Sequence, residues 1–135
     1  MLQSKEFPAK REVLPQMLTE ITGEVKKHFT DDKWINRIKV CAEEILVNII
    51  DYSGSEKIYI SCNFLEDEQI LRFEFVDEGE LYNPLEEVPE VDIEAEPDER
   101  PVGGLGIFLY TTIMDKLEYN CADGRNHLLA YKKLV

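Results

Sequence analysis

Ile58-Tyr59-Ile60-Ser61-Cys62-Asn63-Phe64, then the acidic turn Glu66-Asp67-Glu68, then Gln69-Ile70-Leu71-Arg72-Phe73-Glu74-Phe75-Val76: this stretch reads as two strands of one hairpin. β-branched and aromatic residues dominate both runs, and the second alternates apolar Leu71, Phe73 and Phe75 with polar Arg72 and Glu74. Such alternation belongs to a strand with one face on a core and one toward water. Adjacent strands joined this tightly are antiparallel, so the sheet is built at least partly from hairpins.

Working outward, apolar residues recur at Leu14, Met17 or Leu18, Ile21 and Val25, a helical stripe that tolerates Pro15 only in its first turn. Thr30-Asp31-Asp32 offers an N-cap to a longer second helix. Its buried face is expected at Ile35, Ile38, Cys41 or Ala42, Ile45, Ile49 and Tyr52, with an end near Gly54. Phe7 and its neighbours suit a short edge strand. Downstream, Gly106 to Lys116 reads as a third helix, and Leu117 to Cys121 with His127 to Leu134 as two strands around Ala122-Asp123-Gly124-Arg125-Asn126. The order β-α-α-β-β-α-β-β predicts an α+β two-layer sandwich, its helices on one face of a mixed, mostly antiparallel sheet.

The 135 residues suit a single domain, 1–135. With 28 acidic against 15 basic residues the net charge is −13, which repels a phosphate backbone, so nucleic acid is not an expected partner. Cys41, Cys62 and Cys121 follow no zinc or disulfide spacing, and the chain shows neither a signal core nor a membrane-length apolar run; the expected compartment is the cytoplasm. Eight acidic and no basic residues lie between Glu86 and Glu99. Such a segment cannot bury enough apolar surface to fold by itself and reads as a mobile loop, either a solvated linker or a lid.

Three short motifs carry chemistry. Glu44 and Asn48, four apart on the second helix, share a face with Arg37 and Asp51. An Asn oxygen suits Mg²⁺ held with phosphates, and a Glu can take a proton from a water or hydroxyl. Both residues also suit a merely solvated helix face, but Asn48 is a poor helix former among Leu46, Val47, Ile49 and Ile50. Asp77-Glu78-Gly79 ends an apolar strand, so Asp77 begins partly buried and needs donors, an adenine amine among the candidates, while Gly79 permits close approach of a ring. An Asx turn explains the same residues. Gly103-Gly104-Leu105-Gly106 opens a helix and suits either a tight entry turn or a phosphate cradle of backbone N–H groups. No Walker or dinucleotide-binding pattern surrounds it.

In this order the motifs resemble those of the GHKL (Bergerat-fold) ATPases, within them the anti-sigma-factor serine kinases of the RsbW type, over nearly the whole chain. The run from Ala42 to Tyr52 is similar to the family's N-box, Val76 to Pro84 to its adenine box, Arg100 to Ile107 to its phosphate box, and Met114-Asp115 with Asp123-Gly124-Arg125-Asn126 to its C-terminal signature. The resemblance implies ATP and Mg²⁺ as cofactors, Glu44 as general base, Asn48 as magnesium ligand and Asp77 as adenine reader. It implies nucleotide contacts at Gly79, Arg100, Gly103, Gly104, Leu105 and Gly106, and an ATP lid over about 80–102 containing the acidic segment. Arg100 and Lys116 are the positive charges expected near the triphosphate. Leu129 aligns where many members carry a Thr that helps bind adenine, so one polar adenine contact is not expected.

The function implied is that of a serine/threonine protein kinase that binds a sigma factor and phosphorylates a STAS-domain antagonist; the resemblance leaves a homodimer open. The alternative is a non-catalytic, nucleotide-responsive partner-binding module. Glu44 favours the kinase, because a pure binder needs Asn48 and Asp77 but no base. A histidine-kinase catalytic domain is a third reading, with neither His28 nor His127 in a phospho-acceptor context.

Overall fold

In the computed structural model, which describes residues 2–83 and 113–134, the expected hairpin lies at the middle of a five-stranded sheet. The strands are β1 (Leu2–Pro8), β2 (Lys57–Leu65), β3 (Ile70–Asp77), β4 (Lys116–Ala122) and β5 (Arg125–Lys133), ordered β1-β2-β3-β5-β4. All the pairings are antiparallel, so the mixed character expected of the sheet is absent among the described strands. Phe7 belongs to edge strand β1, as its neighbours suggest.

One face of the sheet carries the helices α1 (Leu14–Lys26) and α2 (Asp32–Asn48). Ile58, Ile60 and Cys62, then Leu71, Phe73 and Phe75, then Leu128 and Ala130 alternate inward and meet Met17, Ile21 and Val25 of α1 and Ile38, Cys41, Ile45 and Leu46 of α2 in one core. A buried Ile, Leu or Phe side chain contributes about 1.5–3 kcal/mol, far above any per-residue helix propensity, so packing of the stripes holds the helices in place. Pro15 sits in the first turn of α1, where its missing N–H costs nothing. Asp31 caps α2, its carboxylate accepting from Lys33 N at 2.9 Å.

Three local readings are corrected. α2 gives way after Asn48 to a π-turn over Ile49–Ser53, ending at Gly54 in the left-handed region (φ 74). The wider turn breaks the 3.6-residue period, so Ile49 still packs against the core while Tyr52 is 64% exposed instead of buried. The last hairpin turns on Asp123 and Gly124 alone, both at positive φ (55 and 74), the pairing a type I′ turn demands. β5 therefore starts at Arg125, not His127, and Asn126 is a sheet residue. Lys116 opens β4 and is not the end of a helix. The rest of the expected third helix and the whole Glu86–Glu99 segment lie outside the described residues.

Candidate functional site

The end of β3, the start of β5 and the end of α2 converge at one end of the sheet. Asp77 closes β3 with its carboxylate on the helix-facing side, 5% exposed, opposite Asn126 in the β3–β5 register. Its Oδ1 accepts from Gly79 N and from Asn126 Nδ2, each at 2.9 Å. Among the described residues Oδ2 has no donor. Oδ2 is thus left able to accept from a ligand or from water.

The π-turn stitches α2 to this strand end. Ser53 O accepts from Glu80 N at 2.9 Å, and Ser55 Oγ accepts from Glu78 N at 3.0 Å. A Cβ on Gly79 would lie 2.2 Å from Ser53 O and 2.7 Å from Ser53 C. Glycine is thus required here first by the protein's own backbone, a reason the sequence did not reveal. Glu78 points to the far face, where its Oε1 accepts from Tyr59 OH at 2.9 Å and meets Arg125 at 3.0 Å. The hydrogen bond to that carboxylate raises the Tyr59 hydroxyl's pKa above its ordinary value.

On α2, Glu44 and Asn48 are half-buried one turn apart, and neither side chain hydrogen-bonds to another described residue. The Cys41 thiol, one turn before Glu44, is pushed up to about 12 by burial and then by the Glu44 charge. Asn48 stands at the α-to-π junction, a place where helices commonly carry function. Of its predicted stripe-mates, Asp51 is held by Arg11 (Nη2 to Oδ2 2.6 Å) and Arg37 lies over the Trp34 ring at 4.8 Å. No cluster of three or more His, Cys, Asp or Glu residues able to hold a metal occurs among the described residues. The Asn48 amide oxygen is the kind of hard donor that Mg²⁺ carried with phosphates takes.

The structure therefore brings Asp77 and Gly79 together with the turn that follows Asn48. Arg100, Gly103, Gly104, Leu105 and Gly106 lie outside the described residues. Lys116 does not join the site: it pairs with Glu118 at 2.7 Å at the opposite end of the sheet, across from Tyr131. Leu129 is also away from Asp77, facing Glu74 and Glu118 across the strands. The residue beside Asp77 is Asn126, which the sequence predicts in a turn and the structure places in β5. Asn126 is buried at 7% exposure and donates to Asp77 Oδ1 and, at 2.9 Å, to Glu80 O. Its Oδ1 accepts from Tyr82 N at 3.0 Å and from Tyr119 OH. The available signal was its alternation with Leu128, Ala130 and Lys132, all inward-facing.

At the other end, Lys132 is buried between the Trp34 ring (4.1 Å) and Ile113 O (2.9 Å), and Asp115 accepts from Lys133 N at 2.7 Å. Met114-Asp115 thus fixes the start of β4 on the end of β5 and takes no part in the site.

Residues 7–132 match the model of the histidine kinase-like ATPase domain. No curated protein matches the chain in sequence. Among solved structures, the RsbU and RsbW domains of Rv1364c from Mycobacterium tuberculosis superpose with a TM-score of 0.61 at 9% identity, covering 97% of this chain and 32% of that one. The chain thus spans about a third of that protein's length. The histidine kinase AdeS from Acinetobacter baumannii superposes at 0.52 with 14% identity, covering 99% of this chain and 68% of that one. At these identities the likeness is one of fold. No helix among the described residues is long and apolar enough to cross a membrane.

Proposed function

Because the chain belongs to the histidine kinase-like ATPase domain family, we propose that it is an anti-sigma factor that uses Mg·ATP to phosphorylate a Ser or Thr of a STAS-type antagonist. The observation that carries the nucleotide reading is Asp77: a buried carboxylate with one oxygen satisfied by protein and the other open, beside the turn that ends the Glu44–Asn48 helix. In this reading Asp77 Oδ2 accepts from the adenine amine and Asn48 lends its amide oxygen to magnesium, which neutralises charge on the phosphates. Gly79 keeps the backbone beside Asp77 in close contact with Ser53. Arg100, at the end of a lid over about 80–102, and Gly103, Gly104, Leu105 and Gly106 just after it supply phosphate contacts, within a single domain of residues 1–135. Glu44 takes the proton of the acceptor hydroxyl as its oxygen bonds to the γ-phosphorus and the bond to the β,γ-bridging oxygen breaks, releasing ADP. The RsbW-like fold supports the choice of a sigma factor and a STAS antagonist as partners, and the cytoplasm is the compartment where both would be met.

The deciding experiment follows phosphate transfer from Mg·ATP to a STAS protein encoded nearby. Glu44→Gln keeps size and hydrogen bonding but cannot accept a proton, so transfer should fall by about 10²–10⁴ while ATP affinity holds. Asn48→Ala should lower magnesium-dependent nucleotide binding as well as turnover. A wild type that binds ATP and its partners yet transfers no phosphate, with Glu44→Gln behaving identically, replaces the kinase by a nucleotide-responsive binding module.

A further inference from the structure

Resting on the nucleotide reading above, the geometry points to Asn126 as the residue that makes the site selective for adenine over guanine, by occupying one oxygen of Asp77. An ionised carboxylate accepts through two oxygens. Guanine's pairing edge presents two parallel donors, N1–H and the 2-amino group, which a carboxylate with both oxygens open matches in the bidentate manner it matches a guanidinium. Adenine presents one amine donor beside a ring-nitrogen acceptor and needs one carboxylate oxygen.

In this chain Oδ1 of Asp77 is taken by Gly79 N and by Asn126 Nδ2, each at 2.9 Å, and Oδ2 alone is open among the described residues. An adenine amine is satisfied by that single oxygen. A guanine is left with a desolvated, unpaired donor, the costly outcome in a buried site.

Asn126 cannot step aside by turning its amide. Its NH₂ faces two acceptors, Asp77 Oδ1 and Glu80 O, and its oxygen faces two donors, Tyr82 N–H and Tyr119 OH. A flipped amide would set its oxygen against Asp77 Oδ1 and Glu80 O and its NH₂ against the Tyr82 N–H; of the four partners only the Tyr119 hydroxyl could turn to accept it. These partners come from β3, β4 and the segment that follows Gly79, so the carboxylate is locked in one orientation by contacts remote in sequence.

Calorimetry with Mg·ATP and with Mg·GTP on the full chain tests this. The wild type should prefer ATP by about tenfold or more, and Asn126→Ala, which frees a lone pair on Oδ1, should narrow the preference by about tenfold, chiefly by gaining GTP affinity. Tyr119→Phe removes one donor that fixes the amide and should narrow it in the same direction by about threefold; where Asn126→Ala does not fold, this variant decides alone. An ATP-to-GTP ratio unchanged from the wild type, even with both affinities reduced together, assigns Asn126 a structural role only and overturns the proposal. Equal wild-type affinity for the two nucleotides overturns the selectivity while leaving a nucleotide site. Wild type that binds neither removes the nucleotide reading and the selectivity with it.

Discussion

At Gly79 a methyl group has no room, because the obstacle is the Ser53 backbone at 2.2 Å and not a side chain that can swing away. Gly79→Ala must push apart the end of β3 and the π-turn, an overpacking that typically costs about 1–3 kcal/mol. The urea unfolding midpoint should drop accordingly; an unchanged midpoint would mean that the two segments separate freely. Asp77→Asn is nearly isosteric and tests chemistry instead of space. Exchanging the open Oδ2 acceptor's charge for a neutral amide should weaken Mg·ATP binding by about 1–3 kcal/mol in calorimetry. The sequence made Asp77 legible because an acid ending an apolar strand is conspicuous. Asn126 was not legible, because its role depends on which residue of β5 lies opposite Asp77, a register that no local pattern prints. Gly79 was legible as a necessary glycine, but the reason lies in Ser53, far away along the chain.

The elements divide by whether their signals are local. The stripes of α1 and α2 and the alternation of β3 follow from periodicity, and the structure returns them with boundaries shifted by little. The π-turn leaves no mark in composition, so periodicity predicts Tyr52 in the core whereas the structure exposes it. The Asp123-Gly124 pair carried a strong two-residue turn signal, and reading a longer loop around it is what took Asn126 out of the sheet. α2 also separates stability from recognition along its own length. With 17 residues it is about 25 Å long, its cap at Asp31 at one end and Asn48 at the other. Asp31→Ala removes the acceptor for Lys33 N and should cost about 1 kcal/mol of folding stability with nucleotide affinity unchanged. If affinity fell in step with stability, the helix would transmit the loss of its cap to Asn48.

Across the whole molecule the thiols report on opening. Cys41 of α2 and Cys62 of β2 are buried on the two layers of the one core, whereas Cys121 on edge strand β4 is exposed. Burial pushes both core thiols up to about 12, so neither offers a thiolate while folded. Their folded-state pKa values lie above the unfolded one near 9, so the folded chain holds protons that the unfolded chain has lost. Stability from this source is intact below pH 9 and drains away as pH rises toward 12. At neutral pH a thiol reagent should therefore label Cys121 at once and reach Cys41 and Cys62 only through opening of the core. If the nucleotide binds the folded chain alone, Mg·ATP at ten times its dissociation constant should slow labelling of the two core thiols by about tenfold. Labelling of Cys121 should not change. Asp77→Asn, assayed at the same ATP concentration, should return the core thiols toward the unliganded rate, because the effect travels through binding and not through salt or magnesium. Core labelling that ignores Mg·ATP in a wild type shown calorimetrically to bind it would mean that the helical layer opens without releasing nucleotide. The end of the sheet around Asp77 would then be energetically separate from the core on which it is built.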